Sequence, residues 1–411
     1  MLDEFDLKKK FKYFDFSVFF SMILLIGIGI AAIYSATYSS GSAAHLNYQR
    51  QILWAGLGLI VFAVIVFTPM RFFLAFAYVF YGIAIASLLL VLVIGQKGSG
   101  AQRWLGLGFL HFQPSEWAKL ATIFVIARLF TDCRDWLRQK YIIALVFAVV
   151  LLPMLLIFKQ PDLGTALVFA PFIPSLLFWG GVSPMVLFSI FVPFLTMIAS
   201  FNFYTFFALM IIIVMILILS KRELWYLLVN ILLNIVVGIV TPFLWHSLHE
   251  YQQKRVLTFL GLVTDPKGAS YQLIQSKVAI GSGGLWGKGF LQGTQTQLRF
   301  LPEQHTDFIF SVIAEEAGFI GGMIVIVLFA IIILRGIKIA ASARSQFSSL
   351  VAIGMVTLLL YHVFVNIGMV MGIMPVTGLP LPLVSYGGSS MLVSMAAVAF
   401  LINISKRRYE Y

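Results

Sequence analysis

Runs of about twenty apolar residues recur along this chain, and one such run is long enough to carry an α-helix across a bilayer. They lie near residues 16–37, 51–68, 72–95, 115–131, 141–158, 162–180, 183–200, 204–219, 224–246, 307–335, 346–372 and 380–404. Inside lipid every backbone N–H and C=O must be satisfied within the protein, so only helices or a closed barrel can cross. The runs are continuous rather than alternating, which excludes the barrel. The fold class expected is therefore an all-α polytopic integral membrane protein with about 12 transmembrane helices. Composition agrees. Charged residues make up 11% of the chain and hydrophobic residues 61%, which excludes both a soluble globular domain and a disordered chain. A single cysteine, Cys133, excludes a disulfide framework and a thiolate metal cluster.

The net charge of +12 is first of all an orientation signal. With the N-terminus inside and the spans alternating, most basic residues fall on the cytoplasmic side. They include Lys8, Lys9, Lys10, Lys12, Arg134, Arg138, Lys140, Lys221, Arg222, Lys338, Arg344, Lys406, Arg407 and Arg408. Both termini are expected in the cytoplasm, and the first run is long enough to remain as an anchor without cleavage. No nucleic-acid partner is called for. The expected organisation is an N-terminal tail at 1–15, a first bundle of about nine spans at 16–246 and a large extracytoplasmic loop at 247–306. The last three spans, 307–404, and a C-terminal tail at 405–411 follow. The segment 183–219, interrupted by Asn202 and Tyr204 without any charge, reads as two spans or as a hairpin that does not fully cross.

Charge is so scarce that each ionisable residue within a span needs a reason. Glu116 and Lys119 stand i,i+3 at the head of the fourth span, where they can pair, either to orient the helix or to line a polar cavity. Asp162, after Pro161, reads as a helix N-cap. Glu315 and Glu316 enter the tenth span below His305 and Asp307. In the large loop, Asp265 before Pro266 and Gly268 reads most simply as a turn. Glycines 281, 283, 284, 287, 289 and 293 crowd around Lys288, a set able to cradle a diphosphate or to form a re-entrant bend. Pro375, Pro380 and Pro382 with Gly378, Gly387 and Gly388 rule out an unbroken helix from 375 to 389, and point to a buried or cavity-lining segment.

That last stretch also carries a resemblance. Asn366-Ile367-Gly368-Met369, Pro375 to Pro382 and Ser385-Tyr386-Gly387-Gly388-Ser389 resemble the signature of the SEDS proteins (shape, elongation, division and sporulation), a group that includes RodA and FtsW. Arg103-Trp104, Gln113-Pro114-Ser115-Glu116 with Lys119, Gln160 to Gly164, and the run from Asp265 to Phe310 agree with it. Gly293-Thr294-Gln295 and the short N-terminal tail look RodA-like. The family pattern has ten spans, so the chain is expected to carry an extra pair near 183–219, which preserves parity and leaves Asp265 outside.

The resemblance implies a peptidoglycan glycosyltransferase that polymerises lipid II at the outer face of the bacterial inner membrane during cell elongation and rod-shape maintenance. It implies Asp265 as the catalytic carboxylate. Glu116, Lys119, Arg103, Trp104 and, within the signature, Ser385 become substrate-binding or cavity residues, Arg103 and Trp104 at the outer mouth. The leaving undecaprenyl diphosphate develops charge that Lys267, Lys277 or Lys288, or a divalent cation such as Mg or Mn, would offset. No organic cofactor is expected. The partners implied are lipid II, the undecaprenyl-diphosphate-linked glycan, a class B penicillin-binding protein supplying the transpeptidase, and other elongation-complex membrane proteins. Two other roles suit the same architecture: a lipid II flippase, although no inverted repeat is visible, and a non-catalytic scaffold that activates the penicillin-binding protein.

Overall fold

The structure is a computed structural model. It describes residues 14–38, 46–98, 101–107, 110–132, 139–220, 223–247, 253, 269–298, 300–301 and 303–407. Contacts divide the chain into two units, one of Met1–Gly180 with Asp265–Tyr411 and one of Gly181–Thr264.

The first unit opens with α1 (Phe16–Tyr38), α2 (Leu46–Phe67) and α3 (Met70–Ile94). A short antiparallel sheet follows: β1 (Gln96–Gly98), β2 (Ala101–Leu107) and β3 (Leu110–Phe112), with Gln96 opposite Trp104 and Leu105 opposite Phe112. The chain continues through α4 (Pro114–Asp132), α5 (Gln139–Phe158), α6 (Leu163–Leu167) and α7 (Phe172–Trp179). The second unit holds α8 (Pro184–Ala199), α9 (Phe203–Leu219) and α10 (Leu224–Ser247). The first unit then resumes with α11 (Ala269–Gly283), α12 (Thr294–Gln297), α13 (Ile309–Ala341), α14 (Gln346–Met371) and α15 (Gly388–Lys406). The helical class read from sequence holds, with the small sheet at 96–112 added to it.

Among the described residues, eight helices are long and apolar enough to cross a membrane: α1, α2, α3, most of α5, α10, α13, α14 and α15. The segment Leu163–Trp179 and helices α8 and α9 are shorter but equally apolar. Every apolar run read from the sequence thus contains helix. Helix α4 escapes the apolar criterion because it carries Glu116, Lys119, Arg128 and Asp132, and it is buried on nearly every side. Burial also places α14 and α15 at the centre, 72% and 78% enclosed, against 22% for α3. Phe73, Phe124 and Phe400 join α3, α4 and α15 there, with ring centroids 4.7 to 5.7 Å apart.

The contact division does not fall at residue 246, where the sequence divides the first bundle from the large loop. Helices α8, α9 and α10 close on their own apolar centre of Val192, Ile213 and Leu217. Thr196 Oγ1 donates to Asn234 Oδ1 at 2.6 Å within it. Asn202 caps α9, accepting from Tyr204 N at 2.9 Å, so the uncharged interruption in this stretch is a helix start. The large loop is no surface appendage either: its residues 269–283 form α11, pinned by Ser276 Oγ to Val370 O (2.7 Å) and to Ser311 Oγ (2.8 Å).

Helix α13 is broken at Gly318, whose φ of 66° lies in the left-handed region. Leu285 O stands 2.6 Å from where a Cβ would be, and Gly287 N is closer still. Phe319 N donates to Gly284 O at 2.9 Å, so the glycine-rich loop supplies acceptors that the helix lost at its break. Gly318→Ala is expected to lower stability by about 1–3 kcal/mol. Thermal unfolding in detergent reads this, with Gly56→Ala, where a Cβ meets nothing within 4 Å, as the silent control.

Candidate functional site

Residues 372–387, between α14 and α15, form the irregular segment that the prolines and glycines demand. Gly372 ends α14 in the left-handed conformation. From there the segment is held by side chains. Asn366 Nδ2 donates to Leu379 O at 2.7 Å and to Asp307 O at 2.9 Å. Ser385 Oγ donates to Thr306 O at 2.6 Å and accepts from Leu381 N at 2.8 Å. Gln51, fully buried on α2, donates to Ser385 O at 3.0 Å and accepts from Gly387 N at 3.3 Å. Tyr386 N donates to His305 O at 3.0 Å, and the two rings lie 5.6 Å apart. Burial lowers the His305 pKa below its ordinary value, against an opposing effect of Glu303. Each clamp answers a carbonyl or amide that has no ladder partner, at a net gain of about 1 kcal/mol and a larger cost if lost. Such clamping lets Leu383 stay in a left-handed conformation, φ 64°.

Beside this segment lies a buried polar chain. Lys119 Nζ is 2.7 Å from Glu116 Oε1, forming the i,i+3 pair read from the sequence. The ammonium also lies 3.2 Å from His362 Nε2, and His362 Nδ1 is 3.4 Å from Pro380 O. Lys119 has no solvent exposure. The ammonium is enclosed by the protein's interior. An apolar triad of similar volume would be about as stable as such a pair, whereas losing one partner strands the other's charge.

A second buried carboxylate organises the glycine-rich loop. Glu315 accepts from Lys288 Nζ (2.8 Å), Gln295 N (2.9 Å), Thr296 N (3.1 Å) and Thr296 Oγ1 (2.8 Å). Glu316 points elsewhere, accepting from Ser35 Oγ. Of the set that the sequence offered to a diphosphate, Lys288 is paired with Glu315, while the amides of Gly287 and Gly289 donate to Gly283 O and Glu316 O. Lys288 is thus an ion-pair partner of Glu315, its side chain 24% exposed.

The other sequence-derived residues divide between seen and unseen. Asp162 caps α6, accepting from Thr165 N at 3.2 Å and Thr165 Oγ1 at 2.9 Å. Lys277 is exposed on α11, its aliphatic stem packed over Gly372 at the entrance to the proline-rich segment. Trp104 is half-buried on β2; the Arg103 side chain lies outside the described residues. Asp265 and Lys267 also lie outside the described residues. Sequence reasoning missed His362 and Gln51. Only their polarity within apolar runs could have signalled them, and Asn366 was noticed for the signature and not as a clamp. Among the described residues no group of three or more His, Cys, Asp or Glu side chains is placed to hold a metal ion.

A family model described as a cell cycle protein, covering FtsW, RodA and SpoVE, matches residues 16–206 and 183–410. The two matches overlap within 183–206, inside the stretch expected to carry extra helix. The peptidoglycan glycosyltransferase MrdB of Escherichia coli (strain K12) is 39% identical over 363 residues, covering 88% of this chain and 86% of that protein. The peptidoglycan glycosyltransferase RodA of Treponema pallidum (strain Nichols) is 35% identical over 428 residues, covering 96% and 98%. The crystal structure of the rod shape determining protein RodA of Thermus thermophilus superposes with a TM-score of 0.63 at 27% identity, covering 97% of this chain and 98% of that one. A chain from a peptidoglycan synthase complex, solved to explain how polymerization and crosslinking are coordinated, gives a TM-score of 0.72 at 27% identity, with 97% and 99% covered.

Glu315→Ala strands Lys288 and the amides of Gln295 and Thr296. Hydrogen exchange in detergent is expected to show residues 284–298 opening, by about 1–3 kcal/mol per stranded group, while α14 keeps its protection.

Proposed function

This chain belongs to the FtsW, RodA and SpoVE family of cell cycle proteins, and from that membership we infer that it is a peptidoglycan glycosyltransferase of cell elongation and rod-shape maintenance. The single observation that carries this reading is the 39% identity with a protein named for that activity over 88% of the chain. The substrate is lipid II, taken at the extracytoplasmic face of the bacterial inner membrane with both termini in the cytoplasm. The partner is a class B penicillin-binding protein within the elongation complex, a reading supported by the likeness to a synthase complex that couples polymerization to crosslinking.

The reaction joins the anomeric carbon of a glycan held as undecaprenyl diphosphate to the 4-hydroxyl of the next lipid II. Asp265 accepts the hydroxyl proton as the C–O bond forms, and undecaprenyl diphosphate leaves from the opposite face. Inversion in one step converts the α-linked diphosphate to a β-linked glycan without a covalent enzyme intermediate. Lys277, exposed beside the proline-rich segment, and Lys267 offset the charge developing on the diphosphate. Helix α11 begins at Ala269, just after Asp265 in the chain, and its clamps to Val370 and Ser311 give the catalytic loop a fixed anchor.

Purified wild-type protein in detergent, without vesicles, is expected to polymerise labelled lipid II into glycan strands. Asp265→Asn is expected to reduce the rate by about 10²–10⁴-fold with unchanged thermal stability. Full polymerisation by this variant would remove Asp265 as the base. No polymerisation by the wild type, together with lipid II transport in vesicles, would replace the enzyme by a flippase.

A further inference from the structure

We propose that His362 is a positioning residue for glycan polymerisation, tying the buried Glu116–Lys119 pair to the backbone of the proline-rich segment and so setting that segment's fit to the lipid-diphosphate substrate. The inference rests on the glycosyltransferase reading and adds a residue to it.

The imidazole is buried on α14, and its two ring nitrogens face chemically opposite partners. Nε2 lies 3.2 Å from the Lys119 ammonium, which can only donate. Nδ1 lies 3.4 Å from Pro380 O, which can only accept. One tautomer satisfies both: Nε2 accepts from Lys119 and Nδ1–H donates to Pro380. A second proton on the ring would set two cations 3.2 Å apart in a buried site. The ring therefore works as a rigid connector with a fixed sense, acceptor toward α4 and donor toward the segment.

What it connects is also specific. Leu379 O, adjacent to Pro380, is held by Asn366, one turn further along the same helix. The i,i+4 pair His362 and Asn366 thus grips two successive carbonyls of a stretch whose prolines cannot form a ladder. Asn366 anchors that stretch to Asp307, at the head of α13, while His362 anchors it to Glu116 and Lys119, at the head of α4. Stability alone does not call for this chain, because a packed apolar triad would serve as well. A positioned backbone does call for it.

Full-length variants purified in detergent test this, assayed with labelled lipid II at several concentrations beside the wild type. His362→Leu removes both contacts and is expected to raise the KM for lipid II at least fivefold and to lower kcat/KM at least tenfold. His362→Gln, whose amide oxygen reaches the Lys119 ammonium, is expected to recover part of the KM, and His362→Asn, which reaches only Pro380, to recover little. A merely structural role would shrink the active fraction and leave KM untouched, so an unchanged KM in His362→Leu overturns the proposal even where some protein is lost. Should His362→Leu fail to insert, the triple variant Glu116→Leu, Lys119→Met, His362→Leu leaves no stranded charge. It is expected to insert and polymerise poorly, and wild-type kinetics from it overturn the proposal. If the triple variant is also lost, equal wild-type KM values for the Gln and Asn variants do the same. Failure of the wild type to polymerise would instead strike the glycosyltransferase reading itself.

Discussion

Backbone that leaves the helix at membrane depth must find its hydrogen-bond partners inside the protein, because the bilayer offers none. Two stretches of this chain leave the regular helix, the glycine-rich loop at 284–298 and the proline-rich segment at 372–387, and several buried polar side chains answer to them. Glu315 gathers amides of the first; Asn366, Ser385, Gln51 and His362 gather carbonyls and amides of the second. The apolar helices around them supply the enclosure that makes these bonds strong and their loss costly.

Scarcity of charge gives this arrangement its order. A carboxylate in a span is stable only with donors to meet it. Glu116 therefore meets Lys119, Glu315 meets Lys288 and two amides, and Glu316 meets Ser35. The same rule explains why Lys288, which in an open loop would suit a diphosphate, is committed to the fold. Lys277, beside Gly372 and outside any such pair among the described residues, is exposed on α11.

Legibility in the sequence followed the range of each interaction. The apolar runs, the i,i+3 pair of Glu116 with Lys119, and the Asp162 cap depend on neighbours within one or two turns, so the residues alone specified them. The small sheet at 96–112 went unread because its strands are short and its alternation weak. His362 and Gln51 went unread because their partners lie hundreds of positions away along the chain, Lys119 for one and Ser385 for the other.

The sequence by itself determined that this is a helical membrane protein, where its helices run and where they must break, since bilayer thickness and the missing proline N–H are local constraints. Its signature residues also indicated the family. Only the tertiary structure decided what each polar residue in a span does. A glutamate's role depends on which donors the packed helices bring to it, and packing placed Lys288 against Glu315, Gln51 against Ser385, and His362 between Lys119 and Pro380.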